Sequence, residues 1–212
     1  MALERIVGLG EHISQIADEA GYGGIDAILE AEENSDLFAR RRNPHQLVPG
    51  DVLLLPTKEP RPVTVPVDQV ARVVLRRERL RLRVKVLDYF GEPVVEETGR
   101  LTTDVDDVDV STDADGLLDV AIARVTLAAK LQIAGMRFQL EVGSLQPIDE
   151  VNGVRARLNN LGFWSGEQTG PDVGTEGDFK LGVELFQEEQ GDKPDGILTD
   201  DLRNKLLAQH GQ

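Results

Sequence analysis

Residues 10–21 read Gly10-Glu11-His12-Ile13-Ser14-Gln15-Ile16-Ala17-Asp18-Glu19-Ala20-Gly21. Ile13, Ile16, Ala17 and Ala20 recur at i, i+3, i+4 and i+7, which places them on one face of a helix. Upstream, Ile6 and Val7 begin a short strand that Gly10 ends. Gly21 and Gly23-Gly24 stop the helix. Ile25, Ile28, Leu29 and Ala31 predict a second short helix ending near Asn34. Pro49-Gly50-Asp51 is a turn, and Val52 to Leu55 reads as a buried strand stopped by Pro56. Residues 4–56 therefore predict strand, helix, helix, strand.

Downstream the periodicity changes twice. Pro60, Pro62 and Pro66, interleaved with charge, predict a stiff extended linker over residues 58–66. Leu80, Leu82, Val84 and Val86 then alternate with Arg79, Arg81, Arg83 and Lys85, the pattern of a half-buried strand. Gly91-Glu92-Pro93 and Asp113-Ala114-Asp115-Gly116 are turns, Gly116 being suited to positive φ. Further alternation over Leu118–Ile122, Leu127–Ile133 and Met136–Val142 predicts a small antiparallel β-sandwich. Helix period returns in Val151, Val154, Leu158 and Leu161, then Phe179, Val183 and Phe186, then Leu202, Leu206 and Leu207. Three such helices can close around one small core. The predicted architecture is multi-domain α+β: a βααβ module over 1–57, the linker over 58–66, the sandwich over 67–147 and a helical bundle over 148–212.

Composition narrows the partners. A net charge of −15 and a pI near 4.6 argue against nucleic-acid phosphates and against anionic membrane surfaces. Aromatics are only 4%, so the cores must rest on Leu, Val, Ile and Ala. With no cysteine there is no disulfide to read. Met1-Ala2-Leu3-Glu4-Arg5 lacks the basic and apolar pattern of a secretory signal. The expectation is cytoplasmic synthesis, with action at the cell envelope only if an apparatus delivers the chain.

The first segment resembles a LysM module, a βααβ unit that binds N-acetylglucosamine-containing glycan. The opening Gly-Asp-Thr-Leu-x-x-Ile-Ala of that family stands here as Gly10-Glu11-His12-Ile13-Ser14-Gln15-Ile16-Ala17. Asn34 matches the family's Asn after the second helix, and Pro49-Gly50-Asp51-Val52-Leu53-Leu54-Leu55-Pro56 matches its closing motif. Glu11 and His12 depart from the family, as does a charged insert from Ser35 to Gln46 containing Arg40-Arg41-Arg42. The resemblance implies a shallow glycan groove formed by Gly10, Glu11, His12 and Ile13 with Pro49, Gly50 and Asp51, in which backbone groups do much of the bonding.

The last segment resembles the three-helix peptidoglycan-binding domain found beside wall amidases. Its marks are Val151 to Phe163 with Leu158, Leu161 and Gly162, then Gly182-Val183-Glu184-Leu185-Phe186-Gln187, then Asp195-Gly196-Ile197-Leu198-Thr199. The first Asp-Gly turn of the family is stretched here into Gly166–Gly177. Two helix-start threonines are replaced at Phe179 and Leu202, with Asp178 and Thr199 as the expected caps. The resemblance implies contacts from Asn160, Phe163, Trp164, Gln187 and Asp195. The middle segment is similar to transthyretin-like and carboxypeptidase-regulatory sandwiches, through Gly91-Glu92-Pro93-Val94 and Thr112-Asp113-Ala114-Asp115-Gly116. Such domains serve as spacers or docking platforms.

Several constellations have two readings. The basic run Arg72, Arg76, Arg77, Arg79, Arg81, Arg83 and Lys85 could dock an acidic partner, but reads first as a solvated sheet face paired with Asp104, Asp106, Asp107 and Asp109. The acids from Asp104 to Asp115 lack a full calcium loop. His12, His45 and His210 have no zinc spacing, and no nucleophile elbow is present. Glu11 and Asp51 could be imagined as paired carboxylates, but both fall at turns. Trp164 suits either sugar stacking or a lid on the helical core. The sequence thus predicts no catalytic residue, metal or cofactor. It predicts a non-catalytic peptidoglycan-binding protein, carried by or associated with a phage-tail-like contractile or type VI secretion apparatus. The alternative is a structural adaptor in such an apparatus, touching spike or baseplate proteins without glycan.

Overall fold

A computed structural model describes residues 3–41, 43–58, 64, 67, 68, 70, 72, 78–167 and 176–211. Most of the expected linker, and Arg42, Arg76 and Arg77 of the basic runs, lie outside the described residues. The fold is mixed α+β with antiparallel sheets. It forms two compact units, Met1–Arg40 with Pro49–Ser144, and Arg41–Val48 with Leu145–Gln212.

In the first unit, β1 (Leu3–Ile6) pairs antiparallel with β2 (Val52–Leu55), Ile6 opposite Val52. Between them lie α1 (Ile13–Glu19), α2 (Asp26–Leu29), a 3-10 turn at Glu32–Asn34 and α3 (Ser35–Arg40). Ile13, Ile16 and Ala17 are buried, as their spacing predicts. Two expectations are corrected. Val7 follows the strand rather than belonging to it, and the charged insert opens with a helix. Buried Leu37 anchors α3, while Asp36 in its first turn and Arg40 in its last complement the helix dipole. Asn34 extends the ribbon with its side chain. Its amide donates to the carbonyls of Ile28 at 2.9 Å and Leu54 at 2.8 Å, and accepts from the Leu54 N–H at 2.8 Å. A side chain thus supplies the hydrogen bonds that the outer edge of β2 would otherwise lack.

The same unit holds β3 (Leu80–Lys85), β4 (Thr98–Thr103), β5 (Asp107–Ser111), β6 (Leu117–Ile122), β7 (Ala128–Ile133) and β8 (Met136–Glu141). β3 pairs with β6, and the other four run in the order β5-β4-β7-β8. Both sheets feed one core, with Val86, Leu118 and Ile122 meeting Leu101, Leu131 and Ile133. β4 escapes periodicity because Leu101 is its only strongly apolar residue. Its Gly99 is required by close approach: a β-carbon there would lie 2.5 Å from the Gln132 carbonyl oxygen.

Three arginines of the basic stripe are paired with acids of the same unit. Arg81 and Arg83 both reach Asp119, at 2.9 and 3.3 Å, and Arg79 reaches Asp106 at 3.3 Å. Asp119 on β6, rather than the Asp104–Asp109 run, is the main partner, because the register sets Arg83 opposite it. The Arg81 guanidinium holds the Asp119 carboxyl below its ordinary range, but these pairs are solvated and add little stability. Three further acids of this stretch are also engaged. Asp107 bonds Arg100, Asp104 accepts from the Leu127 N–H, and Asp113 closes its turn by accepting from Asp115 and Leu117.

The second unit contains α4 (Val151–Asn160), α5 (Glu176–Glu189) and α6 (Asp200–His210). They share a core of Ile148, Val154, Leu158, Val183, Phe186, Leu202 and Leu206. Thr199 caps α6, its hydroxyl accepting from the Leu202 N–H at 3.1 Å. The expected cap at Asp178 is corrected, since α5 starts at Glu176 and Asp178 lies inside its first turn. There its charge still opposes the helix dipole favourably. Of the stretched turn, residues 168–175 lie outside the described residues.

Candidate functional site

The two halves of the expected groove in the first unit come together at one end of the β1–β2 ribbon. The Val7 N–H donates to the Asp51 carbonyl and the Gly50 N–H to the Val7 carbonyl, each at 2.8 Å. Gly10 and Gly50 sit at φ 74° and 94°, where a side chain would be strained. Pro49, Gly50 and Asp51 are partly or fully accessible, as are Gly10 and Glu11. The result is an accessible surface with few side chains and two adjacent turns of backbone.

The side chains of the opening loop are engaged inward. Glu11 accepts from the Gly8 N–H at 2.7 Å and from Arg5 at 2.5 Å, tying the loop to β1. His12 is buried and caps α1, its Nδ1 accepting from the Gln15 N–H at 3.3 Å. In the neutral ring the proton then sits on Nε2, which faces the Thr126 carbonyl at 3.4 Å. His12 thus caps the helix where a threonine would ordinarily do so. Gly143 makes room for the ring, since a β-carbon there would lie 2.4 Å from His12 Cδ2. Ile13 is wholly buried in the core. Of the seven residues expected in this groove, His12 and Ile13 therefore support it from beneath.

One residue that periodicity does not single out joins the helical and β segments of this unit. Arg124 is buried and donates to the carbonyls of Ser14 at 3.2 Å, Tyr22 at 3.2 Å and Gly23 at 2.8 Å. Asp18 lies 4.0 Å away. The legible signal is weak: Arg124 follows the last residues of β6 and interrupts an apolar run between Ile122 and Val125.

In the second unit, Gln187 and Asp195 meet. The Gln187 amide donates to Asp195 Oδ1 at 2.9 Å and accepts from the N–H groups of Asp195 and Gly196. Asp195 Oδ1 also accepts from the Ile197 N–H, and these bonds hold its carboxyl below the ordinary range. Both residues build the turn that leads into α6. Phe163 packs edge to face on Phe186 at 5.5 Å, inside the helical core. Trp164 is more than half exposed. Its backbone and that of Ser165 cross α5 at Gly182, where a β-carbon would lie 3.1 Å from the Trp164 oxygen.

Asn160 meets His210 at the end of α6, Nδ2 to Nε2, at 2.9 Å. Burial pushes the His210 imidazole below its ordinary value of 6.5, and Arg157 adds repulsion. The folded state therefore takes up the proton less readily than the unfolded chain. Its contribution is complete above the ordinary histidine value and is lost as pH falls through and below it. Titration followed by nitrogen chemical shifts is expected to place His210 below 6.5, and His210→Gln is expected to flatten the acid limb of the unit's stability. A His210 midpoint at or above 6.5 would contradict this.

Among the described residues, no group of three His, Asp or Glu side chains is placed to hold a metal. None of the described helices is long and apolar enough to cross a membrane. The chain matches no protein-family model, no curated protein and no solved structure.

Proposed function

We propose that this chain is a non-catalytic binding protein for N-acetylglucosamine-containing wall glycan. In this reading a LysM-like segment, a β-sandwich and a three-helix peptidoglycan-binding-like segment form one chain, carried by or associated with a contractile secretion apparatus. The observation that carries it is the junction of the Gly8–Glu11 and Pro49–Asp51 turns, bonded through Val7 and accessible at their glycines. A neutral N-acetyl sugar needs backbone donors and acceptors beside a small apolar contact, and no reactive group. Exposed Trp164 in the second unit offers a separate stacking face. Two weak sites on one chain raise apparent affinity when both engage a polymer.

Full-length protein is expected to co-sediment with purified sacculi and to be released by soluble N-acetylglucosamine oligomers. Protein remaining in the supernatant at every sacculus concentration would overturn the proposal.

A second reading has its own support. The Glu11 and His12 side chains are spent on internal bonds, so the groove has few side chains left to recognise sugar. Under this reading the chain is a structural adaptor touching spike or baseplate proteins. Co-purification with such proteins and no pelleting with sacculi would select it.

A further inference from the structure

The turn after β3 presents two adjacent aromatic rings to solvent. Tyr89 and Phe90 are each 90% exposed. Aromatics make up only 4% of the sequence, so exposing two side by side is a large departure from burial. The rings take no part in holding the turn. Asp88 does that: its Oδ1 accepts from the Phe90 N–H at 2.8 Å and the Glu92 N–H at 2.9 Å. Its backbone bonds Glu92 and Gly91, and Gly91 takes φ 83°. Below it, Leu87 bridges Pro93, and Val94 bonds Val86 of the core. The rings therefore ride on a fixed support, and little backbone freedom is lost when they dock.

The surroundings define the partner. From Val86 to Gly99 the chain carries Asp88, Glu92, Glu96 and Glu97 and no basic residue. Leu87 and Val95 add exposed apolar surface. Four carboxylates on the chain that carries the tip disfavour an anionic bilayer and give a neutral sugar no advantage. We propose that Tyr89 and Phe90 are the docking knob for a second, different protein, whose receiving surface is an apolar pocket rimmed by lysine or arginine. Rigid aromatic anchors with charge around them are the usual centre of such contacts. This inference does not depend on glycan binding.

The probe is a photo-crosslinking benzoylphenylalanine placed at Phe90 of the full chain, with the same group at Lys130 as control, in cells that make the protein. A discrete adduct at position 90, absent at 130, is expected, its linked peptide lying among apolar residues with Lys or Arg nearby. The purified pair should then bind about 30-fold or more weakly with Phe90→Ala. Glu92→Lys with Glu96→Lys should also weaken it, and added salt should weaken the wild-type pair. Thermal midpoints of these variants should match the parent, because the rings hold nothing in place. No adduct above the control, an adduct with a second copy of this chain, an acidic or wholly polar linked surface, or a purified pair indifferent to Phe90→Ala would each overturn the proposal.

Discussion

Replacing Arg124 with alanine is expected to remove about 3–5 kcal/mol from the first unit. The guanidinium is buried and bonds three carbonyls, one in the first turn of α1 and two in the loop after it. Its loss removes a charged donor from all three oxygens, of which the Ser14 bond is buried and the other two are partly accessible, so roughly 1–3 kcal/mol of unmet acceptor cost falls on Ser14. Asp18, 4.0 Å away and nearly buried, loses its counter-charge as well. Lysine should rescue little, since one ammonium cannot reproduce the fork that spans these acceptors. Urea unfolding followed by circular dichroism measures the effect. A loss below about 1 kcal/mol would show that the contact is incidental.

Gly153→Ala is expected to destabilise the second unit by about 2–4 kcal/mol, against the ordinary rule. In an open helix interior, alanine gains about 1 kcal/mol over glycine. Here a β-carbon would lie 1.8 Å from the Pro147 carbonyl oxygen and 2.7 Å from that of Gln146, so backbone must move. The same region serves Arg157, which is wholly buried and donates to the carbonyls of Gln146 at 2.9 Å and Gly153 at 2.7 Å. Its Nε and Nη2 find no partner among the described residues, and burial lowers its pKa to about 10. Shifting residues 146–147 would loosen the acceptors it has. Fluorescence of Trp164, the single tryptophan, reports this unit alone. A neutral or stabilising result would contradict the packing described.

The sequence made some of this legible and hid the rest for physical reasons. The α1 stripe, the β3 alternation and the Gly116 and Thr199 signals all act locally, so spacing exposes them. β4 has one strong apolar residue and a glycine forced by its neighbour, which periodicity cannot detect. α3 is hidden in charge because only Leu37 anchors it. The inward roles of Arg124 and His12 depend on partners far along the chain, and that of Arg157 on how the backbone before α4 folds back to it. A lone arginine in a sequence reads as surface until its carbonyl acceptors are placed around it. The candidate groove was visible as two turn motifs. That His12 and Ile13 underlie it, rather than line it, followed only from the burial of both.

The most direct test of the glycan proposal is an amide chemical-shift titration of the full chain with a tetramer of N-acetylglucosamine. Saturable shifts clustered at the amides of Gly8–Glu11 and Gly50–Asp51 are the predicted result. A spectrum unchanged at millimolar sugar, or shifts confined to other surfaces, would contradict it.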